Sequence, residues 1–319
     1  MAPTPVPTND AAPATDAGAP AARAATASSP AKRRLPVRGI LVAVLILVGI
    51  GTLAYPTIAS MWNSYRQSTA VAGYADAVEN TDAAERAAEL QRAHDYNAAL
   101  PPMTMADPFS SVGTAADPET QARMDEYRGV LAITDAMARI RIPSIGVDLP
   151  IYHGSGEDAL QRGVGHLFGT HLPVGGEGTR AVLTGHRGLP DAMLFTHVDR
   201  IVPGDKIYVD VLGETFTYEV DGTQTVLPED GELLDAVEGQ DLLSLVTCTP
   251  IGINTHRLIV TGHRIPTVAE DAAPATSTAS IVDNAVTTLP WWAVGALVGA
   301  WMLLMLILLL RRRRRDRRG

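Results

Sequence analysis

Two long runs of apolar residues bracket the middle of this 319-residue chain. The first extends over about residues 39–60 and the second over about 289–310. Each run has the roughly 20 residues that a helix needs to cross about 30 Å of hydrocarbon. The pattern predicts a membrane-spanning helix near each end of the chain.

The first run has an alternative interpretation as a cleaved secretory signal. The run begins only after 38 residues, which is later than is usual for a signal sequence. The first Ala-x-Ala sequence after the run, Ala70-Val71-Ala72, lies too far beyond it. We therefore expect an uncleaved anchor.

Residues 136–266 show a different pattern, in which short β-branched runs recur between Gly, Pro and Asp. The runs cover residues 138–142, 147–152, 180–183, 206–211, 215–220, 242–247 and 257–261. Seven or eight short strands in about 130 residues predict a mainly β domain, either a barrel or a sandwich. The runs at 206–211 and 215–220, separated by a loop with Gly213, predict a hairpin.

The segment between the first span and this domain, residues 61–135, predicts helices and a loop. Asp82 and Glu85 have the spacing of a helix cap and its partner. Asp117-Pro118 predicts a second helix start, with proline in the first turn. The sequence Asp107-Pro108-Phe109 lies in the loop between them.

The remaining segments have simple compositions. Residues 1–38 contain much Ala, Pro, Thr and Ser and few large apolar residues, which predicts a disordered tail. Residues 267–288 predict a stalk that leads to the second span, and residues 311–319 form a basic tail.

Charge follows the two apolar runs. Basic residues cluster outside both, so the positive-inside rule places the two termini in the cytoplasm and the central segment outside the membrane. Acidic residues predominate in that central segment, and the net charge of the whole chain is −9. An acidic surface argues against nucleic acid as a partner.

Cys248 is the only cysteine in the chain, so it cannot form an internal disulfide. A lone cysteine is more often a small buried apolar residue than a reactive one. Cys248, however, ends one predicted strand, Arg257 begins the next, and His186 follows the end of another. If the first two strands are antiparallel neighbours, Cys248 and Arg257 lie at the same end of the sheet, and a barrel could bring His186 to the same rim.

These three residue types suit acyl transfer through a thioester. A thiolate is the nucleophile, and a neighbouring imidazole can take its proton and return it to a leaving amine. Arginine keeps its charge and can stabilise the oxyanion of a tetrahedral intermediate. The residues leave the acceptor, water or an amine, open.

Three segments together resemble the sortase family, specifically the class C, pilin-polymerising sortases. They are Thr184-Gly185-His186-Arg187-Gly188-Leu189-Pro190, Cys248-Thr249-Pro250 and Asn254-Thr255-His256-Arg257. The resemblance covers about residues 136–266, together with Asp107-Pro108-Phe109 and the two predicted anchors. It implies an eight-stranded β-barrel in which His186, Cys248 and Arg257 match the catalytic positions. One departure is Ser244, where many members have threonine; serine keeps the hydroxyl.

The resemblance also implies substrates and a lid. Members act on proteins with an LPXTG-like sorting signal, whose Thr–Gly carbonyl the thiolate attacks. In pilin sortases the acyl group then passes to a lysine on the next pilin subunit. Asp107-Pro108-Phe109 resembles the lid motif of this class, in which Asp107 would pair with Arg257 and Phe109 would cover Cys248.

Together these features predict a membrane-anchored transpeptidase on the outer surface of a Gram-positive cell. Lys206 is the only lysine between the two apolar runs, so the acceptor lysine is expected on another protein. Two alternatives remain open. One is a housekeeping-type sortase that attaches surface proteins to peptidoglycan, and the other is a catalytically inactive pilus scaffold.

The other histidines favour structural roles. Gly262-His263-Arg264 repeats Gly185-His186-Arg187 but lacks the Gly-Leu-Pro that follows the earlier copy. His153, His166 and His171 lack the close two-ligand spacing and the thiol partner that are typical of zinc sites. No loop has the dense alternating carboxylates of a calcium site. We therefore expect neither a metal nor a cofactor.

Overall fold

The computed structural model describes residues 37–101, 109, 117–190 and 192–272, together with positions 295, 299 and 301. The predicted N-terminal tail to residue 36 and the basic C-terminal tail lie outside the described residues. The predicted stalk beyond residue 272 and the second span also lie outside them, apart from the three isolated positions. Of the predicted lid motif, Phe109 is described, whereas Asp107 and Pro108 are not.

Three helices precede the strands in the described ranges: α1 (Val37–Asn80), α2 (Ala83–Ala99) and α3 (Pro118–Gly129). The Asp82 side chain accepts a backbone N–H in the first turn of α2, and Asp117 accepts two in α3. Both predicted N-caps are therefore confirmed. Within the described residues, one stretch of helix, Val44–Asn80, is long and apolar enough to cross a membrane by length and composition, with a mean hydropathy of 1.8 in its most apolar part.

Eight strands in the described part of the chain close into a barrel, which confirms the predicted fold. The strands are β1 (Ala138–Ile142), β2 (Val147–His153), β3 (Val164–His166), β4 (Thr179–Thr184), β5 (Lys206–Val211), β6 (Glu214–Val226), β7 (Asp241–Thr249) and β8 (His256–Ile265). A single turn of helix, α4 (Glu157–Leu160), lies between β2 and β3. The order around the barrel is β1-β2-β3-β4-β7-β8-β6-β5, and β5 and β6 form the predicted hairpin.

Alternate side chains of the strands fill the barrel interior, as the pleat requires. Ile140 and Ile142 of β1 and Leu243 and Leu245 of β7 are fully buried within one continuous core. Helix α1 is attached to the barrel through Tyr74, whose hydroxyl donates to the Met137 carbonyl at 3.2 Å and accepts the Leu212 N–H at 2.8 Å.

A buried hydrogen-bond network surrounds His166 at the end of β3. Its Nδ1 lies 2.9 Å from the Tyr127 hydroxyl, and its Nε2 lies 2.8 Å from the His171 carbonyl. The His171 ring accepts a backbone N–H, and His153 Nε2 lies 2.7 Å from a backbone carbonyl. The three histidines weighed as zinc ligands are thus each engaged with protein groups. Burial lowers the pKa of His166 to about 3.

We expect the protein to lose stability as the pH falls below about 6.5, the ordinary pKa of an unfolded histidine. Because folded His166 titrates only near a pKa of about 3, the unfolded chain binds more protons in the interval between these values. The free energy of unfolding should then fall by up to about 1.4 kcal/mol per pH unit through this group. Denaturant titrations at several pH values between 4 and 7 would measure the slope, and His166→Gln should make it shallower. Equal slopes in parent and variant would contradict this prediction.

Candidate active site

Strand β7 lies between β4, to which it is parallel, and β8, to which it is antiparallel. In the register of β7 and β8, Cys248 lies directly opposite Arg257. Opposite residues of antiparallel strands have Cα atoms about 4.5–5.5 Å apart. The expected antiparallel neighbours are therefore confirmed, and Cys248 and Arg257 lie side by side at one end of the barrel.

The histidine lies on the other side of Cys248. Strands β4 and β7 run in parallel with Thr184 opposite Val246. Continuing this register by two residues brings His186 level with Cys248. Adjacent strands are about 4.8 Å apart, so three neighbouring strand ends carry His186, Cys248 and Arg257 in that order.

Hydrogen bonds extend the β4–β7 alignment beyond the last residue of β4. Gly185 N donates to the Val246 carbonyl at 3.2 Å, and Thr247 Oγ1 donates to the Gly185 carbonyl at 2.7 Å. On the far side of the histidine, Arg187 Nη1 donates to Thr249 Oγ1 at 3.1 Å. The residues before and after His186 are therefore both held against the strand that carries Cys248.

Gly185 has a packing requirement that explains the residue type before His186. A Cβ at this position would lie 2.6 Å from the ring of Phe195, which is fully buried. Real Cβ atoms do not approach this closely, so any larger residue would displace either the Phe195 ring or the backbone of His186. The Phe195 N–H in turn donates to the His186 carbonyl at 3.1 Å.

The Arg257 side chain is buried at 9% exposure and is held by its own loop. Its Nη1 donates to the carbonyls of Asn254 and His256, each at 3.1 Å. Asn254 has a φ of 59°, in the left-handed region that asparagine tolerates better than most residues. The turn before β8 thus orients a permanent positive charge beside the partly exposed Cys248.

Phe109 lies against both polar neighbours of Cys248. Its ring centroid is 6.2 Å from that of His186, and the guanidinium carbon of Arg257 is 5.3 Å from the Phe109 centroid. The ring also packs against an apolar cluster formed by β4, β7 and β8. The structure describes four of the residues that were predicted for the catalytic site and the lid. All four lie at this end of the barrel: His186, Cys248, Arg257 and Phe109.

One contact at the site was not anticipated from sequence, and one residue already noted there, Ser244, has a buried structural role. Glu157 Oε2 lies 3.4 Å from His186 Nε2, on a helix of one turn that gives no usable periodicity. Ser244, noted as a departure, is fully buried and accepts a hydrogen bond from Arg180 Nη1 at 2.7 Å. Burial lowers the pKa of Arg180. The hydroxyl that serine shares with threonine thus satisfies a buried guanidinium four residues before Cys248.

His263, in the second Gly-His-Arg sequence, lies elsewhere. Its ring Nδ1 is 2.6 Å from Asp221 Oδ1, and both side chains are about half exposed, at 47%. It is six residues beyond Arg257 on β8, a distance of about 20 Å along a strand. This placement agrees with the structural role expected for it.

Comparisons with known proteins agree with the fold. A Sortase domain family model matches residues 140–265. The crystal structure of sortase C-1 from Actinomyces oris is 46% identical, with a TM-score of 0.54, and the match covers 57% of this chain and 99% of that one. A Streptococcus pneumoniae sortase C structure, described in terms of catalysis and pilin substrate specificity, is 40% identical, with a TM-score of 0.55 and coverage of 62% and 95%.

Curated relatives match over a shorter region. Sortase A of Bacillus anthracis is 31% identical over 134 residues, which are 42% of this chain and 62% of that protein. The chain therefore spans less than two thirds of the length of this relative.

Proposed function

Because the chain belongs to the sortase family, we propose that it is a membrane-anchored cysteine transpeptidase that joins pilin subunits to one another. In this proposal it cleaves an LPXTG-like sorting signal and links the new carboxyl end to a lysine of the next subunit. The observation that supports this most strongly is the alignment of three neighbouring strand ends, with His186 and Arg257 on either side of Cys248.

The proposed reaction has two acyl-transfer steps. His186 takes the thiol proton of Cys248, and the thiolate attacks the carbonyl carbon of the Thr–Gly bond. Arg257 stabilises the negative oxygen of the tetrahedral intermediate. When the intermediate collapses, the Thr–Gly bond breaks, His186 returns the proton to the leaving amine, and a thioester remains. The lysine amine then attacks the thioester, an isopeptide bond forms, and the thiol is released.

Two observations favour a pilin-joining enzyme over one that attaches single proteins to peptidoglycan. The similar solved structures are sortases of the C type, and one is described in terms of pilin substrate specificity. In addition, Phe109, from the segment that precedes the barrel, lies against His186 and Arg257.

The ammonium group of Lys206 is bonded to Asp271 at 3.0 Å, which supports an acceptor lysine on another protein.

The proposed anchoring rests on α1. Its large apolar side chains are exposed, with Val48 at 60%, Leu53 at 81% and Ile58 at 61%. A contiguous exposed apolar surface of this kind is typical of a segment that contacts lipid or a partner. We place the barrel on the outer side of the membrane and both termini in the cytoplasm, with residues 289–310 as the second span.

The experiment that tests the function uses the full chain in neutral detergent. The protein is mixed with an LPXTG-like peptide, and its intact mass is measured. We expect an adduct of the mass of the acyl fragment in the parent, no adduct in Cys248→Ala, and transfer to an added lysine-bearing pilin. Transfer to a peptidoglycan amine but not to pilin would favour the housekeeping alternative. The peptide is also made with the sorting signal of a pilin that is encoded beside this protein. The absence of an adduct with that peptide would contradict the proposed enzymatic activity and favour the inactive scaffold.

We expect loss of the lid contact to make Cys248 more reactive. Phe109→Ala removes an aromatic ring that lies over Arg257, an interaction of about 0.5–2 kcal/mol. Labelling of Cys248 by a thiol probe should therefore accelerate by about tenfold. Asp107→Ala should act in the same direction if Asp107 pairs with Arg257. Val268→Ala, which alters an exposed apolar residue at 49% exposure, is the control, and equal labelling in all forms would argue against a lid.

A further inference from the structure

A cavity of about 160 Å³ lies between α1 and the barrel, and none of the described residues that line it is His186, Cys248 or Arg257. A cavity of about 150 Å³ accommodates a molecule of the size of benzene, so a phosphate group fits. The polar and aromatic side chains that line it are Asn63, Arg66 and Gln67 of α1, with Tyr152, Gln161 and Arg162 of the barrel domain.

The buried side-chain amide of Gln67 points to a ligand. The residue is 7% exposed, and its Nε2 is buried without a hydrogen-bond partner among the residues that the structure describes. A buried donor without a partner destabilises the folded state, and a group of this kind in a folded protein calls for an explanation. Since Gln67 lines the cavity, a bound acceptor would satisfy it.

The charge of the lining favours an anion. Arg66 is exposed, and Arg162 stacks on the Tyr152 ring at 4.1 Å while pairing with Asp135. Arginine has five N–H donors, so the contact with Asp135 leaves donors for a second acceptor. Among the described residues that line the cavity, none is acidic.

The position of the cavity along α1 favours a lipid. Trp62 and Tyr65 are exposed at 61% and 48%, and their ring centroids are 6.0 Å apart. Aromatic residues of this kind collect at the membrane–water interface. Gln67 follows Trp62 by five residues, or about 8 Å along the helix axis. If the apolar part of α1 spans the membrane, the cavity lies at the level of the lipid headgroups.

We propose that this cavity binds the phosphate of an anionic phospholipid headgroup. Arg66 and Arg162 supply charge-assisted hydrogen bonds to the phosphate oxygens, and the Gln67 amide donates a further one. The proposal rests on the membrane anchoring within the proposed function but does not involve the thioester chemistry. It would attach the barrel itself, and not only its helix, to the membrane surface.

The test measures lipid retention by the full chain in neutral detergent with native mass spectrometry. We expect the parent to retain phosphatidylglycerol in preference to phosphatidylcholine. Gln67→Leu and Arg66→Gln should each weaken retention of phosphatidylglycerol by about tenfold, the effect of losing one hydrogen bond to a charged group. Arg128→Gln is the matched control, because Arg128 is an arginine of 56% side-chain exposure on α3, and it should behave as the parent.

A stability measurement separates binding from structure. Without lipid, Gln67→Leu should melt at or above the temperature of the parent, because an apolar side chain replaces an unsatisfied buried amide. With phosphatidylglycerol, the parent should gain melting temperature and Gln67→Leu should not. A merely structural glutamine would instead give a variant that is less stable without lipid, which would overturn the proposal.

The remaining arms identify the source of the phosphate. If soluble glycerol phosphate stabilises the parent as much as phosphatidylglycerol does, the proposal of a lipid ligand is overturned and the cavity is a site for soluble phosphates. Equal retention of the two lipids by the parent, or equal retention of phosphatidylglycerol by parent and Gln67→Leu, would overturn the site. Thioester formation is followed in the same samples, so a failure of the proposed function is recorded separately from a failure of lipid binding.

Discussion

Replacing His186 by alanine is expected to lower the rate of acyl-enzyme formation by about a thousandfold, within the range for loss of a general acid–base. The physical reason is the parallel pairing of β4 with β7, which brings His186 level with Cys248. In the proposed mechanism the imidazole accepts the thiol proton and returns it to the leaving amine, so its removal should slow both proton transfers. The rate would be measured by intact mass over time with the full chain and an LPXTG-like peptide.

The chain offers a matched control for this variant in His263, which has the same Gly-His-Arg context. It lies about 20 Å from Arg257 along β8 and pairs with Asp221 on the exterior. His263→Ala should therefore form the thioester at the parent rate. Similar losses in the two variants would indicate a general effect on folding, and an unchanged rate in His186→Ala would remove His186 from the mechanism.

The second large effect is expected at Arg257. Arg257→Gln should lower kcat/KM for peptide cleavage by about 10²–10³-fold, as does removal of an oxyanion donor in other acyl-transfer enzymes. Arg257→Lys should lie between this variant and the parent, because lysine keeps the charge but loses the planar fork of donors. Continuous cleavage of a fluorogenic sorting-signal peptide would give kcat and KM separately.

Whether the substitutions change kcat or KM decides the role of Arg257. An interaction made only in the transition state lowers kcat and kcat/KM equally, whereas one made equally in the ground state raises KM alone. We expect the former. A rise in KM with unchanged kcat would show that Arg257 holds the substrate backbone instead. Because the side chain is buried, denaturant unfolding of both variants is the necessary check on the fold.

Buried strands of five or six residues could be found from sequence, whereas a strand of three residues and an exposed strand extension could not. The predicted runs at 138–142 and 206–211 coincide with β1 and β5 to the residue. Strand β3 was missed because Val164-Gly165-His166 is too short to show a period. Strand β6 was predicted to end at residue 220 but continues to Val226, since a bulge after Val220 breaks the alternation and the following residues are mostly exposed.

The site could be predicted only in part, because the sequence indicates where strands end but not which distant strands pair. Chemistry and strand ends singled out Cys248, Arg257 and His186, and the hairpin-like succession of β7 and β8 follows from chain order. The pairing of β4 with β7 does not, because it joins distant segments through tertiary packing. The contact of Glu157 with His186 and the close approach of Gly185 to Phe195 are likewise set only when the barrel has formed.

The parallel β4–β7 pairing also bears on when the enzyme becomes competent during folding. Thr247 and Gly185, which bond across this seam, are 62 residues apart in the chain. Contacts of long sequence separation carry a large loop-closure entropy and form slowly. The β7–β8 hairpin, in contrast, needs only a short turn. We therefore expect a folding chain to bring Cys248 beside Arg257 before the closing barrel brings His186 to the same end.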